Sequence, residues 1–160
     1  MIYKSEKIII IGGGILGLSV ARKFLLEGYK NIIILEKEND IACHQSSRNS
    51  GVMHAGLYYK PNSLKAELSR KGITLMKEYC NRNSIPWDEC GKIVVATNNN
   101  EIERLESLLS RGEKNHLKGI EMLNANQVNK IEPYVQAEAG IKVPEESIVS
   151  YFDVYQGGLG

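Results

Sequence analysis

An α/β fold opening on a Rossmann-like βαβ unit is predicted by three features of residues 1–36. These are a run of isoleucines, a glycine-rich turn entering an amphipathic helix, and a second apolar run ending in a carboxylate. The run Lys7–Ile11 holds four isoleucines and reads as a strand buried on both faces of a parallel sheet. Gly12–Gly17 supplies the turn, and a helix is predicted from Ile15 to about Glu27. Leu18, Ala21 and Leu25 recur at helical spacing, and Gly28 suits the helix C-terminus. Asn31–Glu36 reads as the second buried strand, completing the unit in about thirty residues.

Polar residues fill 39–51, and Pro61–Ser63 opens a long helix predicted to reach about Asn81. Its apolar face is read as Leu64, Leu68, Leu75, Met76 and Tyr79, with Gly72 as a point of close approach. Ile93–Ala96 is a strand candidate and Asn100–Glu113 a charged surface helix. Asn124–Ile131 reads as a short helix stopped before Pro133. Ile141–Val154 reads as extended.

The chain has 160 residues, enough for one domain with a real core. Hydrophobic residues are 42% and charged residues 24%, as in ordinary globular chains. Twenty basic against nineteen acidic side chains leave +1, which disfavours nucleic-acid or membrane-surface binding driven by net charge. Residues 1–80 hold twelve basic and seven acidic side chains, whereas 81–160 hold eight and twelve, so an anionic ligand would prefer the first half. Cys43, Cys80 and Cys90 form no CxxC pair, which argues against a disulfide framework or zinc knuckle and points to the reducing cytoplasm. The three histidines lack metal-ligand spacing, so no metal is expected. Residues 8–21 imitate the apolar part of a signal peptide, but they contain four glycines and lack a cleavage site. That stretch is also too short to span a bilayer.

The sharpest motif is Gly12-Gly13-Gly14-Ile15-Leu16-Gly17, a GxGxxG placed directly between strand and helix. Gly12 permits the tight turn, Gly14 lets the backbone approach a pyrophosphate, and Gly17 allows close helix–strand packing. The helix N-terminus offers free amides to the anion. Glu36, nineteen residues after Gly17, ends the second strand where it can accept from an adenosine ribose. An acid there argues against the 2′-phosphate of NADP, an inference that the adjoining Lys37 weakens. The unit is thus of the FAD/NAD(P)-binding kind; the alternative is a glycine-rich turn that merely joins two core elements.

After the second strand comes Cys43-His44-Gln45-Ser46-Ser47-Arg48-Asn49-Ser50-Gly51 rather than a quick third strand. Its hydroxyls, Arg48 and Asn49 suit phosphate and polyol oxygens. They suit equally a turn held by local side-chain-to-backbone bonds.

Residues 46–72, SSRNSGVMHAGLYYKPNSLKAELSRKG, resemble the signature of FAD-dependent L-2-hydroxyglutarate oxidases and dehydrogenases, within the D-amino-acid-oxidase-like flavoproteins. The resemblance continues through GKIVVAT (91–97), IEP (131–133) and VPEESIVSYFDV (143–154). It implies FAD, with Gly12, Gly14, Ile15, Leu16 and Gly17 at the pyrophosphate and Glu36 with Lys37 at the adenosine ribose. Ser46, Ser47, Arg48, Asn49 and Gly51 would line the pyrophosphate, ribityl and flavin side. Some relatives bond flavin covalently through a histidine near Arg48; an arginine cannot, so non-covalent FAD is expected.

The implied reaction removes a hydride from the α-carbon of a 2-hydroxy acid and a proton from its hydroxyl. His54, the histidine of the signature block, is the candidate catalytic base or substrate-orienting group. The alternative is a histidine held by core hydrogen bonds. Tyr58 and Tyr59 read as wall residues, Lys60 as solvated, and His44 and His116 as surface residues. Glu145 and Glu146 read as exposed loop.

The resemblance further implies an electron acceptor, oxygen or a quinone, the latter met by peripheral contact with the inner membrane. It also implies division into 1–80, the first part of an FAD-binding domain; 81–143, the start of an antiparallel substrate or cap domain; and 144–160, a truncated return. The fold is then expected to be incomplete, and an inactive fragment is one alternative. Others are an amino-acid oxidase relative and the FAD-dependent glycerol-3-phosphate dehydrogenases. In the latter, an arginine stands where this chain has Tyr58 and a basic residue is common at Gly51. Both differences disfavour a phosphorylated substrate.

Overall fold

The computed structural model describes residues 3–157, so the last three residues of the expected return segment lie outside the described residues. In chain order the elements are β1 (Ile8–Ile11), α1 (Ile15–Leu26), β2 (Ile32–Leu35), β3 (Val52–Met53), α2 (Leu64–Arg82), β4 (Trp87–Asp88) and β5 (Lys92–Ala96). There follow α3 (Ile102–Lys114), β6 (Glu121–Asn124), α4 (Ala125–Ile131), β7 (Ala139–Val143), β8 (Ser147–Val149) and α5 (Tyr151–Gln156).

The described residues form two compact units. One holds the chain up to Gly51, Asn83–Ile85 and the residues from Ser150 on; the other holds Val52–Arg82 and Pro86–Val149. These units part after Gly51, and the chain re-enters the first at Ser150. The reason is strand pairing: β3 pairs antiparallel with β8, Val52 against Ile148 and Met53 against Ser147.

In the first unit β1 and β2 run parallel, in register from Ile8↔Ile32 to Ile11↔Leu35. They are not buried on both faces. Ile10 faces α1 at Gly17, whereas Ile9, Ile11, Ile33 and Leu35 are exposed, Ile11 by 89%. Side chains alternate across a strand, so a helix on one face shields only every second residue. Helix α1 ends in a left-handed residue, Gly28 at φ +88°, as a C-terminal glycine should. The expected extended stretch to Val154 stops early, because the Ser150 hydroxyl accepts the Asp153 N–H at 3.3 Å and starts α5. Val154 and Tyr155 are buried.

The second unit is built on the antiparallel sheet β5-β7-β6, with Lys92 opposite Val143 and Glu121 opposite Lys142. Helices α3 and α4 pack on it, enclosing Leu105, Leu123, Val128, Ile141 and Val143. Asn124 is the cap of α4, not its first residue: it accepts from Gln127 N–H at 3.0 Å while the Gln127 side chain accepts from Asn124 N–H at 2.9 Å. A small sheet β3-β8-β4 completes the unit.

Helix α2 corrects its expected face. Its buried residues are Ala66, Ile73 and Cys80, seven apart, whereas Leu64, Leu68 and Leu75 are exposed. The helix carries more apolar residues than one stripe can cover, and packing selects the stripe of Ala66, Ile73 and Cys80. Gly72 is no close-approach point, since a Cβ there would meet nothing within 4 Å. Among the described residues, no helix is long and apolar enough to cross a membrane.

Candidate functional site

The glycine turn of the first unit is built by backbone geometry. Gly12 sits at φ +103°, which L side chains rarely adopt, and its N–H donates to Leu35 O at 2.8 Å. This closes the turn against the end of β2. A Cβ on Gly17 would collide with the Gly12 carbonyl oxygen, so α1 can start this close to β1 only with glycine there.

Glu36 reaches back across that turn. Its Oε2 accepts from Gly13 N–H at 2.7 Å, and its Oε1 from Lys37 N–H at 2.8 Å and Glu38 N–H at 3.1 Å. The bond from Gly13, then that from Glu38, holds its carboxyl below the usual glutamate range. A carboxylate accepts about four hydrogen bonds, so the main chain leaves room for one more.

Ser46 is the loop residue brought to the turn. Its Oγ accepts from Ile15 N–H at 2.9 Å and would lie 3.1 Å from a Cβ on Gly14. The first four amides of a helix lack internal acceptors. Here Ser46 takes that of Ile15 and Gly14 O that of Leu18, which leaves Leu16 and Gly17 to present the positive end of α1.

The other loop candidates stay in their own turn. Ser47 Oγ donates to His44 O at 3.3 Å. Asn49 spends its amide on Gln45 O and Ser46 O and its carbonyl on Gly51 N–H. Arg48 is exposed, Gly51 has φ +71°, and Lys37 Nζ lies 3.6 Å from Glu38. His44 is exposed and pairs with Glu38 at 2.8 Å.

In the second unit, His54 begins a tightly held segment. Its imidazole is 56% exposed, with Nδ1 3.2 Å from Glu146 Oε2. Glu146 corrects the reading of an exposed loop: its side chain is 2% exposed, and its Oε1 accepts from Lys92 Nζ at 2.8 Å and Ala55 N–H at 3.2 Å. Burial of a carboxylate is tolerable because a cation and an amide compensate it. Lys92 Nζ also lies 4.8 Å from the centre of the Tyr58 ring.

Other side chains pin the same segment. Ser69 Oγ donates to His54 O at 2.9 Å, Arg111 to Tyr58 O at 3.0 Å, and Asn115 Nδ2 to Gly56 O and Tyr59 O at 3.0 and 2.9 Å. Glu145 is paired rather than exposed, in a two-point ion pair with Arg70 at 2.9 Å for each bond. The roles of Glu146, Lys92 and Ser69, which lie inside the resembling stretches, and of Asn115, which lies outside them, escaped sequence reasoning, since each meets the segment only through folding.

Residues 7–157 match the DAO family of FAD dependent oxidoreductases. The chain belongs to that family. This bears out the resemblance and the α/β, Rossmann-like reading; FAD is the family's cofactor. The chain is 47% identical over 148 residues to the mitochondrial L-2-hydroxyglutarate dehydrogenase of Dictyostelium discoideum, covering 91% of this chain and 33% of that protein. It is 46% identical over 148 residues to the L-2-hydroxyglutarate dehydrogenase of Escherichia coli (strain K12), covering 91% and 35%. Among solved structures it resembles dithionite-reduced L-alpha-glycerophosphate oxidase from Mycoplasma pneumoniae with FAD bound. There the TM-score is 0.86 at 30% identity, over 96% of this chain and 41% of that one. The chain spans about a third of the length of the curated relatives it matches.

Proposed function

We propose that this chain is the FAD-cradling portion of an enzyme that oxidises a 2-hydroxy acid, L-2-hydroxyglutarate, to 2-oxoglutarate. The observation that carries the reading is the level of identity to L-2-hydroxyglutarate dehydrogenases from an amoeba and a bacterium, 47% and 46%. In this reading the first unit begins the FAD-binding domain and the second the substrate domain.

The residues present fit the cofactor. The amides of Leu16 and Gly17 and the Ser46 hydroxyl, which packs where a Cβ on Gly14 would stand, suit a pyrophosphate. Glu36 keeps an acceptor position for a ribose hydroxyl while it braces Gly13. Ser47, Arg48, Asn49 and Gly51 are assigned to the same ligand, and Arg48 leaves the flavin non-covalently held. When bound, the flavin supplies the acceptor for the hydride that leaves the α-carbon. His54 takes the hydroxyl proton, and its exposed imidazole is accessible to substrate. The final electron acceptor assigned is oxygen or a quinone, and the site of action is the cytoplasm or its membrane face.

A glycerol phosphate substrate is the second reading, favoured by the 30% identity to the glycerophosphate oxidase. Anaerobic mixing separates the two. L-2-hydroxyglutarate is expected to bleach the flavin absorbance of the loaded protein, while glycerol 3-phosphate leaves it unchanged. Bleaching by glycerol 3-phosphate alone would replace the first reading by the second. His54→Gln is expected to bind FAD normally and to bleach at least 100-fold more slowly, on the scale of a lost general base.

A further inference from the structure

We infer that Glu146 is the positioning residue of His54: it holds the imidazole proton on Nδ1 and so leaves Nε2 as the nitrogen that can accept a proton. The inference rests on the role assigned to His54 above and deepens it.

The two oxygens of Glu146 are differently employed. Oε1 accepts from Lys92 Nζ at 2.8 Å and from Ala55 N–H at 3.2 Å. Oε2 faces His54 Nδ1 at 3.2 Å. With the side chain 2% exposed, water is not at hand to satisfy Oε2, and a buried acceptor without a donor is costly. His54 Nδ1 is the donor the fold supplies, which selects the Nδ1–H tautomer. Free histidine prefers the opposite tautomer, so the carboxylate imposes this one. The other end of the ring stays open, since the imidazole is 56% exposed.

The ring is also fixed from its backbone side. Ser69 Oγ donates to His54 O at 2.9 Å, and the bond from Ala55 N–H ties the next residue to the same carboxylate. Lys92 compensates the charge of Glu146, and Tyr58 lies beneath Lys92. The charged and titratable groups facing this site are therefore Glu146 from the turn before β8, Lys92 from β5 and Tyr58 from the segment itself.

Glu146→Gln gives a specific reversal. The amide oxygen of the glutamine can keep Lys92 and Ala55 N–H, which turns its NH₂ toward His54 Nδ1. The ring must then accept there and carry its proton on Nε2. The experiment is two-bond ¹⁵N–¹H correlation of ¹⁵N-labelled protein at about pH 8.5, roughly two units above the reference imidazole value, with His54 assigned from the His54→Gln variant. The wild type is expected to show Nδ1–H in roughly fivefold excess or more, and Glu146→Gln the reverse preference. A wild-type proton on Nε2, or an unchanged tautomer in Glu146→Gln, overturns the inference. The wild-type spectrum decides even if the variant does not fold.

Turnover of the flavin-loaded protein separates this from the reading beneath it. Glu146→Gln is expected to lower kcat by about 100-fold or more with KM within about twofold, the pattern of a base held in the wrong tautomer. If the tautomer reverses while Glu146→Gln and His54→Gln both turn over as wild type, the positioning stands and the base role of His54 falls.

Discussion

Gly13 N–H donates to Glu36 Oε2 at 2.7 Å, so the acid that follows β2 is a brace for the glycine turn that precedes α1. A carboxylate in this place ties two stretches of main chain together. It fixes the path of the turn through Gly13 N–H and that of its own strand end through the N–H groups of Lys37 and Glu38.

That bond makes the turn sensitive to acid. The Gly13 N–H, aided by that of Glu38, depresses the folded pKa of Glu36 below the ordinary 4.5. Its stabilising contribution is therefore complete above the unfolded value and is lost as pH falls through the lower folded one. The side-chain carboxyl ¹³C of Glu36 is expected to titrate below 4.5, with the Gly13 amide moving in step. A midpoint at or above the ordinary value rejects the brace.

Two glycines should answer oppositely to alanine. At Gly17 a Cβ meets the Gly12 carbonyl oxygen, and Gly17→Ala is expected to destabilise by about 1–3 kcal/mol or more and to abolish retention of flavin. At Gly72, inside α2, a Cβ meets nothing within 4 Å, and Gly72→Ala is expected to stabilise by roughly 0.5–1 kcal/mol. Denaturant unfolding of both variants beside the wild type checks the pair.

Asn115→Ala removes the donors to Gly56 O and Tyr59 O. The expected loss is about 1–3 kcal/mol, because Asn115 is 4% exposed and water cannot fully replace it. Faster amide exchange confined to residues 54–59 would mark the pinning role. Unchanged exchange there would refute it.

Arg70→Lys tests the ion pair with Glu145. Burial raises the Glu145 pKa, but the two-point bond with Arg70 and the Lys118 N–H outweigh it and hold the carboxyl below the usual range. Lysine cannot reproduce the fork, and a loss on the order of 1 kcal/mol is expected at neutral pH. The deficit should shrink as pH falls through the lowered pKa and Glu145 takes up its proton. A deficit constant with pH would show that charge pairing is not its source.

The βαβ unit was legible because each part is local: an isoleucine run, glycines at fixed offsets, a helix and a closing acid within thirty-odd residues. Strands β3 and β4 were not, since two-residue strands such as Val52–Met53 and Trp87–Asp88 have no period to read. Strand β6, Glu-Met-Leu-Asn, lacks β-branched residues and is recruited by its neighbour β7. Helix α2 was located correctly but turned wrongly, because its leucines outnumber the positions its neighbours can cover.

Sequence alone determined the family and the glycine turn between strand and helix, because these lie in contiguous residues at fixed spacing. Only the tertiary structure decided that Glu146 is buried and which groups it pairs with. His54 and Glu146 are 92 positions apart, and Lys92 and Glu146 are 54. A buried charge needs partners from distant strands, and the free energy of that compensation depends on distances that exist only once the sheets have paired.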